Sequence, residues 1–188
     1  MEQSFDQPDI AKIVNGNSRE FSKLVDTYKD LVFTIALRMM KNRDEADEVA
    51  QDTFVKVYRN LKLFKGDSKL STWIYRIAYN TCLDRLKKNK KEQYSTPIDE
   101  IRGAEVAVIG NALDALVKEE RQVLIKKSIE KLTPSDAALL TLFYFEEKSL
   151  QELEPILKLG ANAIKVRLFR ARGRLATILK GELELEIL

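Results

Sequence analysis

Carboxylates are the side chains best placed to do chemistry in this sequence. Asp44, Glu45, Asp47, Glu48 and Asp52 crowd one short run, "RDEADEVAQD". Three readings compete for them. Paired carboxylates can hold a metal or drive hydrolysis, as in a nuclease, but no second acidic cluster accompanies this one. Carboxylates in the first turn of a helix also offset its macrodipole, a purely local role. Alternatively, Asp44, Glu48, Gln51 and Asp52 line up away from the apolar stripe, as a protein-docking face would. Other reactive groups are few. The chain has no histidine, which removes Ser/His/Asp and Cys/His pairs and the commonest transition-metal ligand. Cys82 lies on an apolar helix face, as a small core residue does. Neither G-x-x-x-x-G-K-S/T nor G-x-G-x-x-G occurs, so phosphate-cradling loops have no support. The expectation is a protein that is not an enzyme, with no metal, cofactor or small-molecule substrate.

Cations tell a different story. The net charge is only +3, but the basic residues are segregated. Lys62 to Lys91 holds nine Lys and Arg against Asp67 and Asp84, and Gly160 to Lys180 holds six against no acid. Two basic patches far apart in sequence suit a polyanion contacted twice, or two solvated helix faces. In "ANAIKVRLFRARGRLATILK", helical spacing gathers Ile164, Leu168, Ala171, Leu175 and Ile178 into one buried stripe. Asn162, Val166 and Phe169 then point the other way. Lys165 and Arg172 flank them on one edge, and Arg167, Arg170 and Arg174 on the other. A major-groove surface accounts for an exposed Phe among arginines; packing of Phe169 on a neighbouring helix is the alternative. In "STWIYRIAYNTCLDRLKKNKK", Trp73, Arg76, Asn80, Lys87 and Lys91 share a face. Stacking, amide and cationic groups together match single-stranded nucleic acid. A Trp73 wedged between helices competes with that reading.

These side chains must be positioned by helices. Of 188 residues, 45% are hydrophobic and 32% charged, with 7 Gly and 4 Pro, a profile that favours an all-α fold. Ser18 is a plausible N-cap for a helix carrying Phe21, Leu24, Tyr28, Leu31 and Ile35. A second apolar stripe runs from Ala46 through Phe54 to Phe64. Gly66-Asp67-Ser68 breaks it, and Ser71 or Thr72 can cap the next helix. Residues 92–118 lose periodicity and read as a linker. Thr133 caps and Pro134 opens a later helix. "SLQELEPILKLG" and the basic helix after it, joined by a turn at Gly160, make a helix-turn-helix pattern. The reading is two small helical domains: an extension over 1–17, a bundle over 18–91, a linker, a helix-turn-helix domain over 119–180 and a tail over 181–188. The tail alternates acid and apolar residues, as either a strand-like tag or a frayed helix end. No apolar run nears the ~20 residues of a membrane span. The opening residues lack a signal pattern, and a lone cysteine suits the cytoplasm.

In this order, "DEADEVAQDTFVKVYRNLKLF", "STWIYRIAYNTCLDRLKKNKK", a linker and "IKVRLFRARGRL" resemble a bacterial extracytoplasmic-function (ECF, group 4) RNA polymerase sigma factor, over about 18–91 and 119–180. The resemblance implies sigma region 2 and region 4 modules that bring core RNA polymerase (beta and beta-prime subunits) to promoter DNA. It implies polymerase binding by Asp44, Asp47, Glu48, Gln51, Asp52 and Phe54. It implies that Phe64, Ser71, Thr72, Trp73, Arg76, Asn80, Lys87 and Lys91 melt and capture the minus-ten element. Reading of the minus-thirty-five element would fall to Asn162, Lys165, Val166, Arg167, Phe169, Arg170 and Arg172. Control by an anti-sigma factor is implied as well. The competing function is a helix-turn-helix repressor that binds duplex operator DNA without polymerase.

Overall fold

Asparagine and aspartate caps lay out the first half of the chain. The computed structural model describes residues 8–92 and 118–186, with side chains over 8–89 and 123–183. The chain divides into two units, residues 1–89 and 90–188. In the first, Asp9 accepts from the Lys12 amide to start α1, Ile10–Val14. Asn17 accepts from the Glu20 amide to start α2, Ser18–Met40. Asn42 accepts from the Glu45 amide to start α3, Arg43–Asn60. Each cap satisfies a backbone donor that the helix itself leaves without a partner. The cap of α2 is therefore Asn17, one residue before the Ser18 expected from sequence. Lys41, at φ 59°, turns the chain between α2 and α3.

A 3-10 turn at Leu61–Leu63 and a loop around Gly66, φ 80°, lead to α4, Leu70–Glu92. That helix starts ahead of Ser71 and Thr72, so neither caps it. Ile13, Leu24, Val32, Val57, Leu61, Ile74 and Ala78 form a common core, with Phe21, Tyr28, Phe54 and Trp73 packed around it. Ile13 is 1% exposed. The stretch 1–17 set apart from sequence as an extension thus supplies a helix to the core of the first unit. Burying a side chain of that size contributes roughly 1.5–3 kcal/mol.

The second unit starts with α5, Lys118–Glu130. Thr133 accepts from the Asp136 amide and Pro134 takes the first position of α6, Pro134–Leu140, as its sequence predicts. A π-helical turn, Thr141–Phe145, follows. Ser149 and Glu152 close a reciprocal capping box on α7, Leu150–Leu157. The turn expected at Gly160 is made by Lys158, at φ 55°. Gly160 instead gives its carbonyl to the Ile164 amide, at the start of α8, Ala161–Glu186. Ala137 to Leu140, Leu142, Leu153, Ile156, Ile164, Leu168 and Ala171 are buried.

The tail reads differently in three dimensions. Residues 181–186 are the last turns of α8. Leu183, 9% exposed, packs with Leu124, Ala176 and Leu179, and Glu182 pairs with Lys131 on the chain segment after α5. Neither a strand nor a frayed end describes them. The described residues contain no strand, and the all-α expectation stands. Of the linker placed at 92–118, residues 93–117 lie outside the described residues, as do 187 and 188.

Candidate functional site

Three surfaces collect the residues singled out by the sequence. The first is the outer side of α3. Asp44, Asp47 and Gln51 are exposed. Asp47, Gln51 and the half-buried Phe54 line a shallow groove with Lys29, Phe33, Arg43 and Ala50. The Arg43 guanidinium sits 5.5 Å over the Phe33 ring, a cation–π contact that stiffens the groove's rim. Glu48 and Asp52 belong to the same row but have a partner on α4. Arg85 donates to the Glu48 carboxylate at 2.8 Å and lies 3.6 Å from that of Asp52. The Glu48 hydrogen bond raises the affinity of Arg85 for its proton. Asn89 also reaches Glu45, at 3.3 and 3.4 Å. Arg85 is one of the nine cations between Lys62 and Lys91; the structure spends it within the unit.

The second surface is the start of α4. Trp73 is half-buried, its ring 5.5 Å from that of Phe64 and tilted by 58°. It packs against the core and keeps part of its surface accessible. Arg76 and Lys87 are exposed, and Ser71 is half-buried. The Asn80 amide donates to the Arg76 carbonyl at 2.6 Å. Thr72 must be taken out of the DNA-facing set. It is 2% exposed and its hydroxyl is buried without a hydrogen-bond partner, although it lies one turn before the exposed Arg76 and near the same helix phase. Lys91 lies in α4 but its side chain falls outside the described residues.

The third surface is α8. Val166 and Phe169 are 50% and 62% exposed, directly opposite the fully buried Ile164 and Ala171. Asn162, Lys165, Arg170 and Arg172 are exposed around them. This unpartnered apolar pair amid cations fits the groove-reading pattern and removes the packing alternative within the second unit. The arginines divide. The Arg172 guanidinium donates to the Tyr144 hydroxyl at 3.3 Å. Arg167 and Arg174 both turn to Asp136, at 3.3 and 2.5 Å. Asp136 is 3% exposed and was missed in the sequence. Its signal was available: one carboxylate running straight into the apolar "AALL", where only paired charge is tolerated in a core. Among the described residues no group of three or more His, Cys, Asp or Glu could hold a metal ion.

Comparison with known proteins follows the same division. Residues 24–92 match the Sigma-70 region 2 family and residues 122–175 match the Sigma-70, region 4 family. The chain is 33% identical to the ECF RNA polymerase sigma factor SigW of Bacillus subtilis over 174 residues, covering 88% of this chain and 92% of that protein. It is 30% identical to the ECF RNA polymerase sigma-E factor of Escherichia coli strain K12 over 177 residues, covering 91% and 92%. Two solved structures share the fold. CnrH, in complex with the cytosolic domain of CnrY, gives a TM-score of 0.59 at 23% identity, covering 95% of this chain and 99% of that one. RpoE of Bartonella quintana, in complex with the anti-sigma factor NepR, gives 0.60 at 20%, covering 86% and 98%. With a region 2 match followed by a region 4 match and these relatives aligned over most of its length, the chain belongs to the ECF RNA polymerase sigma factors.

Proposed function

We propose that this sigma factor binds core RNA polymerase through the exposed part of α3 and directs initiation at promoters read by α4 and α8. Asp44, Asp47 and Gln51, with Phe54 in the groove beneath them, supply a docking face for the beta-prime and beta subunits. Glu48 and Asp52 join that face from behind the Arg85 bridge. At the minus-ten element, Phe64 and Trp73 offer aromatic surface to an extruded base. Ser71, Arg76 and Asn80 lie alongside, and Lys87 and Lys91 track phosphates. Extruding a base costs a few kcal/mol, and stacking on an aromatic ring returns about 1–3 kcal/mol.

At the minus-thirty-five element, Val166 and Phe169 touch base edges, Asn162 and Lys165 contribute polar contacts, and Arg170 and Arg172 set the register on phosphate. The observation that carries this reading is Phe169, 62% exposed on a helix whose other side is sealed. A factor that acts on core polymerase would work in the cytoplasm; no helix among the described residues is long and apolar enough to cross a membrane. Control by an anti-sigma factor is supported by the two structural neighbours, each solved with a bound partner.

Run-off transcription with purified core polymerase and a promoter library tests the reading. Promoter-dependent product supports it, and its absence across the library sinks it. A gel shift on duplex DNA adds the contrast with a repressor: tight binding without core enzyme would favour an operator-binding protein.

A further inference from the structure

Six cations stand on α8 from Lys165 to Lys180, yet they do not face equivalent partners. At about 100° per residue, Arg167 and Arg174 stand only about 20° apart, two turns distant along the helix. Both therefore reach the same point on α6, the Asp136 carboxylate. Arg170 stands about 40–60° further round, toward Val166. It is exposed and, like Lys165, has no ion-pair partner among the described residues. Arg172, on the far edge, is met by a hydroxyl and not by a carboxylate.

The chemistry of these partners differs. Asp136 is an anion with 4% of its side chain exposed, while Arg167 and Arg174 keep 31% and 28%. It occupies the donors a phosphate would otherwise take and leaves the three groups with a combined charge of +1. The Tyr144 hydroxyl orients Arg172 and cancels none of its charge. One partner withdraws arginines from a polyanion, and the other presents one to it.

We propose that Asp136 is a positioning residue that sorts the arginines of α8, holding Arg167 and Arg174 off the DNA so that Lys165, Arg170 and Arg172 alone set the phosphate contacts. The proposal rests on the reading of α8 as the minus-thirty-five surface, and it removes Arg167 from that surface's directed contacts. Selectivity follows from the sorting. Guanidinium groups free to find any phosphate also stabilise α8 in shifted registers on mismatched sites, and so weaken discrimination between promoters.

The test uses the full chain assembled with core polymerase, measuring promoter binding against salt concentration. Arg170→Ala is expected to lower the slope of log affinity on log salt by about 0.9, the loss of one phosphate contact. Arg167→Ala and Arg174→Ala are expected to leave the slope unchanged. Asp136→Asn is expected to raise it, and to cut the preference for a matched over a mismatched minus-thirty-five element by a few-fold. A slope that falls for Arg167→Ala as it does for Arg170→Ala overturns the proposal. So does a folded Asp136→Asn protein with unaltered slope and preference. If Asp136→Asn does not fold, the three arginine variants still decide. If Arg170→Ala and Phe169→Ala both leave promoter binding untouched, α8 does not read DNA, and the proposal falls with that assignment; the pattern differs from one in which Arg167 joins Arg170.

Discussion

The Arg85 guanidinium lies 2.8 Å from the Glu48 carboxylate, joining the helix assigned to promoter opening to the helix assigned to polymerase docking. The same arginine approaches Asp52 at 3.6 Å. The acidic row is therefore not uniform. Its Asp44–Asp47–Gln51 side is open to a partner, and its Glu48–Asp52 side is partly neutralised from within. Local macrodipole compensation does not exhaust the row either, since Asp47, Glu48 and Asp52 lie beyond the first turn of α3.

Docking and stability should separate along that division. Arg85 keeps 25% of its side chain exposed and Glu48 keeps 62%, so Arg85→Ala costs no more than about 1 kcal/mol. Asp47→Ala costs still less stability but lowers association with core polymerase. Urea unfolding followed by Trp73, the only tryptophan, reports on the first unit. A pull-down of core subunits reports on docking. Unchanged pull-down for Asp47→Ala would defeat the docking assignment.

The Asp136 cluster predicts an asymmetry. Removing the carboxylate leaves two guanidinium groups that are about 30% exposed and can rehydrate, at a cost of about 1.5–3 kcal/mol for lost charged hydrogen bonds. Removing both arginines strands a carboxylate that is 4% exposed, at about 3–5 kcal/mol. Hydrogen exchange in α6 should therefore rise more in Arg167→Ala/Arg174→Ala than in Asp136→Ala. The reverse order would show that the carboxylate gains water easily and that the site is not closed.

What could be read in the sequence follows the range of each signal. Thr133-Pro134 and the Ile164–Leu168–Ala171 stripe are local patterns with a fixed helical period, and the structure keeps them. Phe169 stood out because it broke its own helix's pattern. Ile13 did not, because a helix of five residues is too short for periodicity to register. The last turns of α8 were hidden by an alternation of Glu and Leu that mimics a strand; Leu183 becomes legible only beside Leu124, far earlier in the chain. The pairing of Asp136 with Arg167 spans 31 positions, and nothing in either stretch names the other. Lys158 takes a left-handed conformation next to a glycine two residues on, so propensity pointed to the wrong residue.

Cys82 gives a prediction in pH. Burial pushes its thiol from 9.0 up to about 12. The folded chain then keeps this proton where the unfolded chain releases it. The contribution to stability is whole below pH 9 and is lost as pH rises toward 12. Comparison of the native chain with Cys82→Ala isolates it from lysine and tyrosine titration. The native chain should lose more stability across that window. Folded protein should also resist iodoacetamide at pH 8, where the thiolate is the reactive form; rapid alkylation without unfolding would contradict the burial.

Phe169 separates reading from folding. At 62% exposed it contributes little to the core, so Phe169→Ala should change stability by no more than about 0.5 kcal/mol, as exposed positions generally do. Its ring has no charge to give to phosphate, so binding to unrelated duplex should persist with the same salt dependence. What remains is contact with a base edge, where loss of one good contact costs about 1–3 kcal/mol of discrimination. Run-off transcription from matched and mismatched minus-thirty-five elements should converge in the variant, while Lys165→Ala lowers both. If Phe169→Ala lowers transcription from every template by one common factor, the side chain does not read sequence. Its exposure would then have to be answered by a protein partner, and the surface of α8 would be a docking face in place of a DNA-reading one.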